Sequence, residues 1–306
     1  MTKIKSSSVL FGIALGLFSL VYYGCSKDRI STDKTKSLKD YNSVNEYLDT
    51  KKQQEQVFII DTSGKGPIIG NQGTRIWIGK ECLMFPNGDS VKWPFEVRLV
   101  ELYKPKDMLY YQMPTVAAGN ILETAGEIRL RAFKNGTELV FKSGCGAKIT
   151  MPNATPQANH MHVYYGVNSS NYVDWTDNPA SAGVTVFGTD SIGYTSFISK
   201  LGWINSDFQI GNNTGNTITF TSSTDNLQNV GIFVYFPSTK SLMQVYNMSS
   251  GLIPTGSNVK IIGIGIDSNG DLFSFDKTQT VNSNTQFDVS LSPTTDAALT
   301  TYLDAL

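Results

Sequence analysis

Glu127-Ile128-Arg129-Leu130-Arg131-Ala132-Phe133-Lys134-Asn135-Gly136-Thr137-Glu138-Leu139-Val140-Phe141 decides the fold class. Ile128, Leu130 and Ala132 alternate with Arg129 and Arg131, the period of a strand with one buried face. Asn135-Gly136 then stands between two strand-like runs, the strongest short signal for a hairpin. Upstream, Phe95–Tyr103 repeats the alternation: Phe95, Val97 and Leu99 face one way, Glu96 and Arg98 the other. The chain has few charged residues for its length, 17% of 306. Asn, Ser, Thr and Gly break short β-branched and aromatic runs throughout, which predicts an all-β protein.

Working outward, Val57–Asp61 and Thr74–Ile78 read as short strands around a glycine-rich turn, and Ala147–Met151 as the last strand before Pro152. Pro152–Asn159 has the composition of a linker. A second run of candidate strands follows, among them His162–Val167, Val184–Phe187, Gly231–Phe236 and Val259–Ile266. Gly263 and Gly265 in the last of these predict close packing against another backbone. At the C-terminus Leu299, Tyr302, Leu303 and Leu306 form a helical stripe, with Thr294 or Thr295 as its cap. The expected architecture is two β-sandwich-like domains, 57–153 and 160–306, the second ending in a short helix.

The N-terminus has a different texture. Lys3 and Lys5 precede an apolar run from Val9 to Tyr23, and Gly24 stands directly before Cys25. A basic start, an apolar stretch and a small residue at a cut site make an export signal over 1–24. The run is about fifteen residues, short of the roughly 20 that span a bilayer as a helix. Gly24-Cys25 resembles the lipobox of bacterial lipoproteins, whose Cys thiol is lipidated; the place three before the Cys, usually Leu, holds Tyr22. Residues 25–56 then read as a polar tether. Ser43 and Glu46 fit a capping box for a short helix near its end, with Val44, Tyr47 and Leu48 on one face.

Charge excludes one class of partner. Losing Lys3 and Lys5 with the leader moves the formal net charge from −1 to −3. No basic stripe invites nucleic acid. Two of the three cysteines, Cys82 and Cys145, remain beyond the lipidation site. An exported chain meets an oxidising compartment, so these two can bridge; the alternative is two separate buried thiols.

Several segments look like those of ZU5-like β-sandwich domains in Bacteroidetes-type lipoproteins. They are Gly73-Thr74-Arg75-Ile76-Trp77-Ile78, Phe95–Tyr103 with Lys106-Asp107-Met108, and Pro114-Thr115 followed by Leu122-Glu123-Thr124-Ala125-Gly126. Gly79 stands where that family commonly has Pro. Leu201-Gly202-Trp203-Ile204-Asn205-Ser206-Asp207 resembles a Gly-Trp-Ile-Asn-Cys-Asp pattern of the same lipoproteins, with Ser206 in place of Cys. The resemblance implies exported β-domains and no known reaction. Some ZU5 domains cleave themselves at His-Phe-Ser, a triplet this chain lacks. Asp89-Ser90-Val91 and Asp190-Ser191-Ile192 look like O-glycosylation sites of such bacteria.

Sites for chemistry are sparse. His160 and His162 are the only histidines; on a strand they share a face, but no third metal ligand is near in sequence. Asp267-Ser268-Asn269-Gly270-Asp271 has part of the spacing of a calcium loop, yet Leu272 and Thr278 hold the places of its Gly and Glu, so a hairpin turn fits better. Neither a nucleophile elbow nor a phosphate loop occurs. Paired carboxylates remain open to a hydrolase, since sequence distance does not fix their separation. Trp175, flanked by Asp174, Thr176 and Asp177, reads as an exposed aromatic that could stack on a sugar ring, whereas Trp203 reads as buried. The expectation is a lipid-anchored outer-membrane protein, surface or periplasmic, that binds or organises and does not catalyse. It needs no metal and no cofactor. Its partners are the membrane, through lipid on Cys25, and an envelope protein or glycan; a glycan-binding accessory lipoprotein is the alternative.

Overall fold

The computed structural model describes residues 37–62, 66–152, 160–168, 173–176, 188–210 and 214–306. Cys25, the export signal and the rest of the polar tether up to residue 36 lie outside them, as do residues 153–159 of the expected linker and the candidate strand Val184–Phe187. Residues Lys39–Leu306 form one compact unit.

The fold is all-β with short helices. Sheet one runs in the order β1 (Gln56–Ile60), β5 (Phe95–Leu102), β7 (Asn120–Lys134), β15 (Gly202–Ile210), β11 (His162–Asn168) and β12 (Val173–Thr176). The short strands β6 (Val116–Ala117) and β8 (Thr137–Glu138) also pair with β7. Asn135 and Gly136 both take positive φ (52° and 79°) in the β7–β8 turn, as a tight hairpin requires. Sheet two runs β13 (Gly188–Thr189), β14 (Gly193–Ile198), β10 (Ala147–Pro152), β3 (Arg75–Trp77) and β2 (Ile68–Ile69). Between these sheets lies a core that includes Val97, Leu99, Ile128, Leu130, Ile149 and Ile204. The short strands β4 (Leu83–Met84) and β9 (Val140–Phe141) pair beside it.

Sheet three has the order β18 (Ser241–Gln244), β17 (Gly231–Phe236), β19 (Ser257–Ile266), β20 (Leu272–Val281) and β22 (Ser292–Pro293). One face packs on the parallel pair β16 (Ile218–Thr221) and β21 (Thr285–Asp288) through Ile232, Val234, Ile261 and Phe220. The other face shares a core with the outer side of sheet one. Phe233, Tyr235 and Ile262 meet Val100, Leu102, Leu122 and Tyr164 there, together with helices α1 (Asn45–Lys51), α2 (Pro105–Tyr111) and α3 (Asp296–Asp304). This second core explains why the alternation of β5 stops at Leu99: Val100, Glu101 and Leu102 are all buried, because both faces of the strand are covered.

The expected boundary at Pro152–Asn159 is overturned. β15 of the later segment pairs with β7, and β14 with β10, so strands from both sides of 153–159 build the first sandwich. That sandwich continues to Ile210, and the second β-region begins after it. Composition marked a chain segment rich in Pro and Asn; strand pairing, which composition does not encode, crosses it. Gly265 makes room for a side chain rather than a backbone: a Cβ there would sit 2.8 Å from the Tyr41 ring. Helix α1 starts one residue late for the capping box, with the Asn45 N–H donated to Ser43 Oγ at 3.4 Å.

Helix α3 carries the expected stripe. Thr295 Oγ1 accepts the Ala298 N–H at 3.2 Å, Leu299 and Leu303 are buried in the second core, and Tyr302 and Leu306 pack against it. Tyr47 Oη donates to Asp296 at 2.8 Å, and Lys106 pairs with Asp304, so both ends of the helix are tied to its neighbours. Leu303→Ala is expected to cost about 2–5 kcal/mol, the range for truncating a buried Leu. Urea denaturation checks it; a near-neutral result would mean the helix adds little to the core.

Candidate functional site

Among the described residues, the Trp203–Asp207 segment helps build a buried cluster of acids. Ile204 and Ser206 face the core of the first sandwich, which turns Trp203, Asn205 and Asp207 to the other face of β15. Asn205 lies opposite Glu127 on β7, and Asp207 opposite Thr124, so Ala125 and Gly126 together oppose Ser206 in a β-bulge. The bulge puts Thr124 and Glu127 on one face although they are three residues apart. Gly126 is required here: its φ is +130°, and a Cβ would lie 2.1 Å from the Tyr103 ring.

Glu127, Asn205 and Asp207 are all 0% exposed. The Asn205 side-chain amide donates to Asp207 Oδ2 at 2.5 Å and to Glu127 Oε1 at 3.4 Å, and its carbonyl accepts from Thr124 Oγ1 at 3.1 Å. Glu127 Oε2 and Asp207 Oδ1 have no partner among the described residues. Burial pushes Glu127 well above the usual carboxylate range, and the nearby Asp207 adds to the shift. Burial likewise pushes Asp207 up, against the hydrogen bond from Asn205. An uncompensated buried carboxylate keeps its proton instead of ionising. Both acids are therefore biased toward their protonated forms around a bridging amide. With no exposed surface, they cannot touch a substrate in this structure. The alternation of Asn205 with Asp207 behind Trp203 was the one sequence signal for it, and nothing local pointed to Glu127 as the partner.

The other expected site residues are scattered. Trp175 corrects the expectation: it is 3% exposed, packs in the second core and donates its indole N–H to the Pro114 carbonyl at 2.7 Å. Polar neighbours misled because residues i±1 of a strand face the opposite way. Cys82 and Cys145 are joined as a disulfide with Cα atoms 5.1 Å apart. His160 is exposed and sets its ring edge-on to Phe208, 4.3 Å between centroids. His162 lies opposite Asp207 in register. Among the described residues no three His, Cys, Asp or Glu side chains converge as metal ligands. Asp267 Oδ1 accepts the Asn269 and Asp271 N–H groups and so caps the β19–β20 hairpin turn. Ser90 and Ser191 are exposed.

Trp203, expected in the core, is only half-buried and lines a groove of about 430 Å³ at one end of the first sandwich. Arg129 stacks its guanidinium 5.1 Å from the ring centroid, and Tyr111 meets the ring edge-on at 5.8 Å. Gly166 allows the fit, since a Cβ there would lie 2.7 Å from that of Trp203. Phe141, Tyr165 and Val167 extend the apolar lining; Glu138, Thr176, Ser199 and Lys200 supply polar groups. No protein family, curated protein or solved structure matches this chain.

Proposed function

We propose that this chain is a lipid-anchored envelope protein that works as a binding module, with the Trp203 groove as its contact surface. The groove carries the reading: it combines a half-buried indole, two further aromatic rings and a rim of hydroxyl and charged groups. Convergent polar groups around an aromatic floor suit a ligand with apolar faces and many hydroxyls, which favours a glycan. Gly24-Cys25 after the apolar run supports export and lipidation, and a disulfide suits an oxidising compartment. The sealed Glu127–Asp207 pair favours a structural role for those acids over hydrolysis.

Two measurements test this reading. Mass spectrometry of protein extracted from envelopes is expected to show Cys25 as a lipidated N-terminus, and an intact Lys3–Gly24 segment would overturn the anchor. Calorimetric titration with xylo-, cello-, manno- and peptidoglycan-derived oligosaccharides is expected to give saturable binding that Trp203→Ala removes. No saturable heat from any of the four, or equal binding by the variant, would overturn the groove.

A further inference from the structure

A second cavity, of about 240 Å³, lies where β6 and β12 of the first sandwich meet β18 of the second β-region. It is smaller than the roughly 300–1,000 Å³ usual for drug-sized ligands, so a small molecule would fill it. Pro114, Val116, Val173 and Met243 make apolar walls, and Asp174 is the one charged residue in its lining.

Two tight turns frame this cavity, and both are strained. Ala118 (φ 47°) and Gly119 (φ 81°) join β6 to β7. Asn247 (φ 54°) and Met248 (φ 57°) lie between Tyr246 and Ser249, whose backbone groups close the second turn at 3.2 Å. Such turns are usually built from Asn and Gly; Ala118 and Met248 carry side chains that disfavour this backbone. Among the described residues, Gln112, Ala118, Asn135, Lys240, Asn247 and Met248 are the non-glycines with positive φ. Half of them sit in the two turns at one cavity. Strain concentrated in this way is characteristic of ligand clamps.

The electrostatics choose the ligand. Asp174 Oδ1 accepts the N–H groups of Ala118 (3.2 Å) and Trp175 (2.9 Å), which fixes the carboxylate at the base of the first turn. Gln244, also in the lining, is held by its neighbours: its Oε1 accepts from Tyr246 Oη at 3.0 Å and its Nε2 donates to Gln112 Oε1 at 3.4 Å. A fixed carboxylate among apolar walls complements a donor-bearing cation and opposes an anion. We propose that this cavity binds a small organic cation, a protonated primary amine on a short apolar body, with Asp174 as its counter-ion.

Calorimetric titration of the whole mature protein with phenethylamine, 2-phenylethanol and 3-phenylpropionate tests this. The three probes share an apolar body and differ in charge. The amine is expected to bind saturably, on the order of tenfold tighter than the alcohol, with the carboxylate weakest. Asp174→Asn keeps the acceptor for Ala118 and is expected to abolish the preference for the amine, whereas Asp174→Glu keeps the charge and the preference. Thermal melts without ligand establish that each variant is folded. Trp203→Ala is expected to leave amine binding unchanged, which separates this site from the groove. Equal affinity for amine and alcohol, no saturable heat from either, or an unchanged preference in Asp174→Asn would overturn the proposal.

Discussion

Glu127→Gln is expected to stabilise the protein at pH 8 and to leave it nearly unchanged at pH 4. The folded state raises both Glu127 and Asp207 well above their ordinary values of 4.5 and 3.8. A group raised by folding binds its proton more tightly in the folded state. Its contribution is fully present below the ordinary value and is lost as pH climbs through the raised one. Stability from this pair therefore declines from about pH 4 upward, by roughly 1.4 kcal/mol for each unit of pKa separation crossed. Glutamine has the shape of the protonated acid and never ionises, and its carbonyl can keep accepting from the Asn205 amide. Midpoints shift by about 2–4 °C per kcal/mol in domains of this general size. The variant should thus melt several degrees higher at pH 8. Other carboxylates set the acid limb. Hydrogen bonding to Arg131 holds Glu138 below its usual range. Asp225 is also held low, because hydrogen bonds from Thr224, Tyr41 and the Leu291 N–H outweigh its burial. Thermal melts of both proteins from pH 4 to 9 decide the matter; parallel curves would show that the acids do not titrate within the folded state.

Removing the disulfide is the second large effect. The bond between Cys82 and Cys145 spans 63 residues of sequence. Opening a loop of that length is expected to cost about 4 kcal/mol on the chain-entropy account. The loop contains β5 and all of β7, two neighbouring strands of sheet one, and β7 also pairs with β15, β6 and β8, so its closure restricts a strand with many partners to find. Cys82→Ser/Cys145→Ser is expected to lower the urea midpoint with little change in slope. Wild-type protein in reductant should match the variant. If the variant keeps the wild-type midpoint, local contacts such as the Lys142 N–H to the Cys82 carbonyl at 2.9 Å already restrict the ends without the bond.

Periodicity alone determined much of this protein. The alternation at Glu127–Phe133, the Asn135-Gly136 turn and the stripe of Leu299, Tyr302, Leu303 and Leu306 are local patterns. Each reports which side of an element meets water, so the all-β class and the docked C-terminal helix were legible. Which strands pair is a different kind of fact. β7 and β15 meet across a long stretch of chain, and their contact makes one sandwich from segments on both sides of 153–159. Only that contact brings Glu127 to Asn205 and Asp207, and only the second core takes Trp175 out of water although its neighbours are polar. A residue's side of its own strand is set by sequence neighbours within a few positions, while its partner is set by the register of a distant strand. The sequence by itself therefore determined the all-β class, the Asn135-Gly136 hairpin and the apolar stripe of the C-terminal helix. The tertiary structure decided the buried acids, the half-exposed Trp203 and the cavity at Asp174, because each depends on groups that meet only after the sheets have paired.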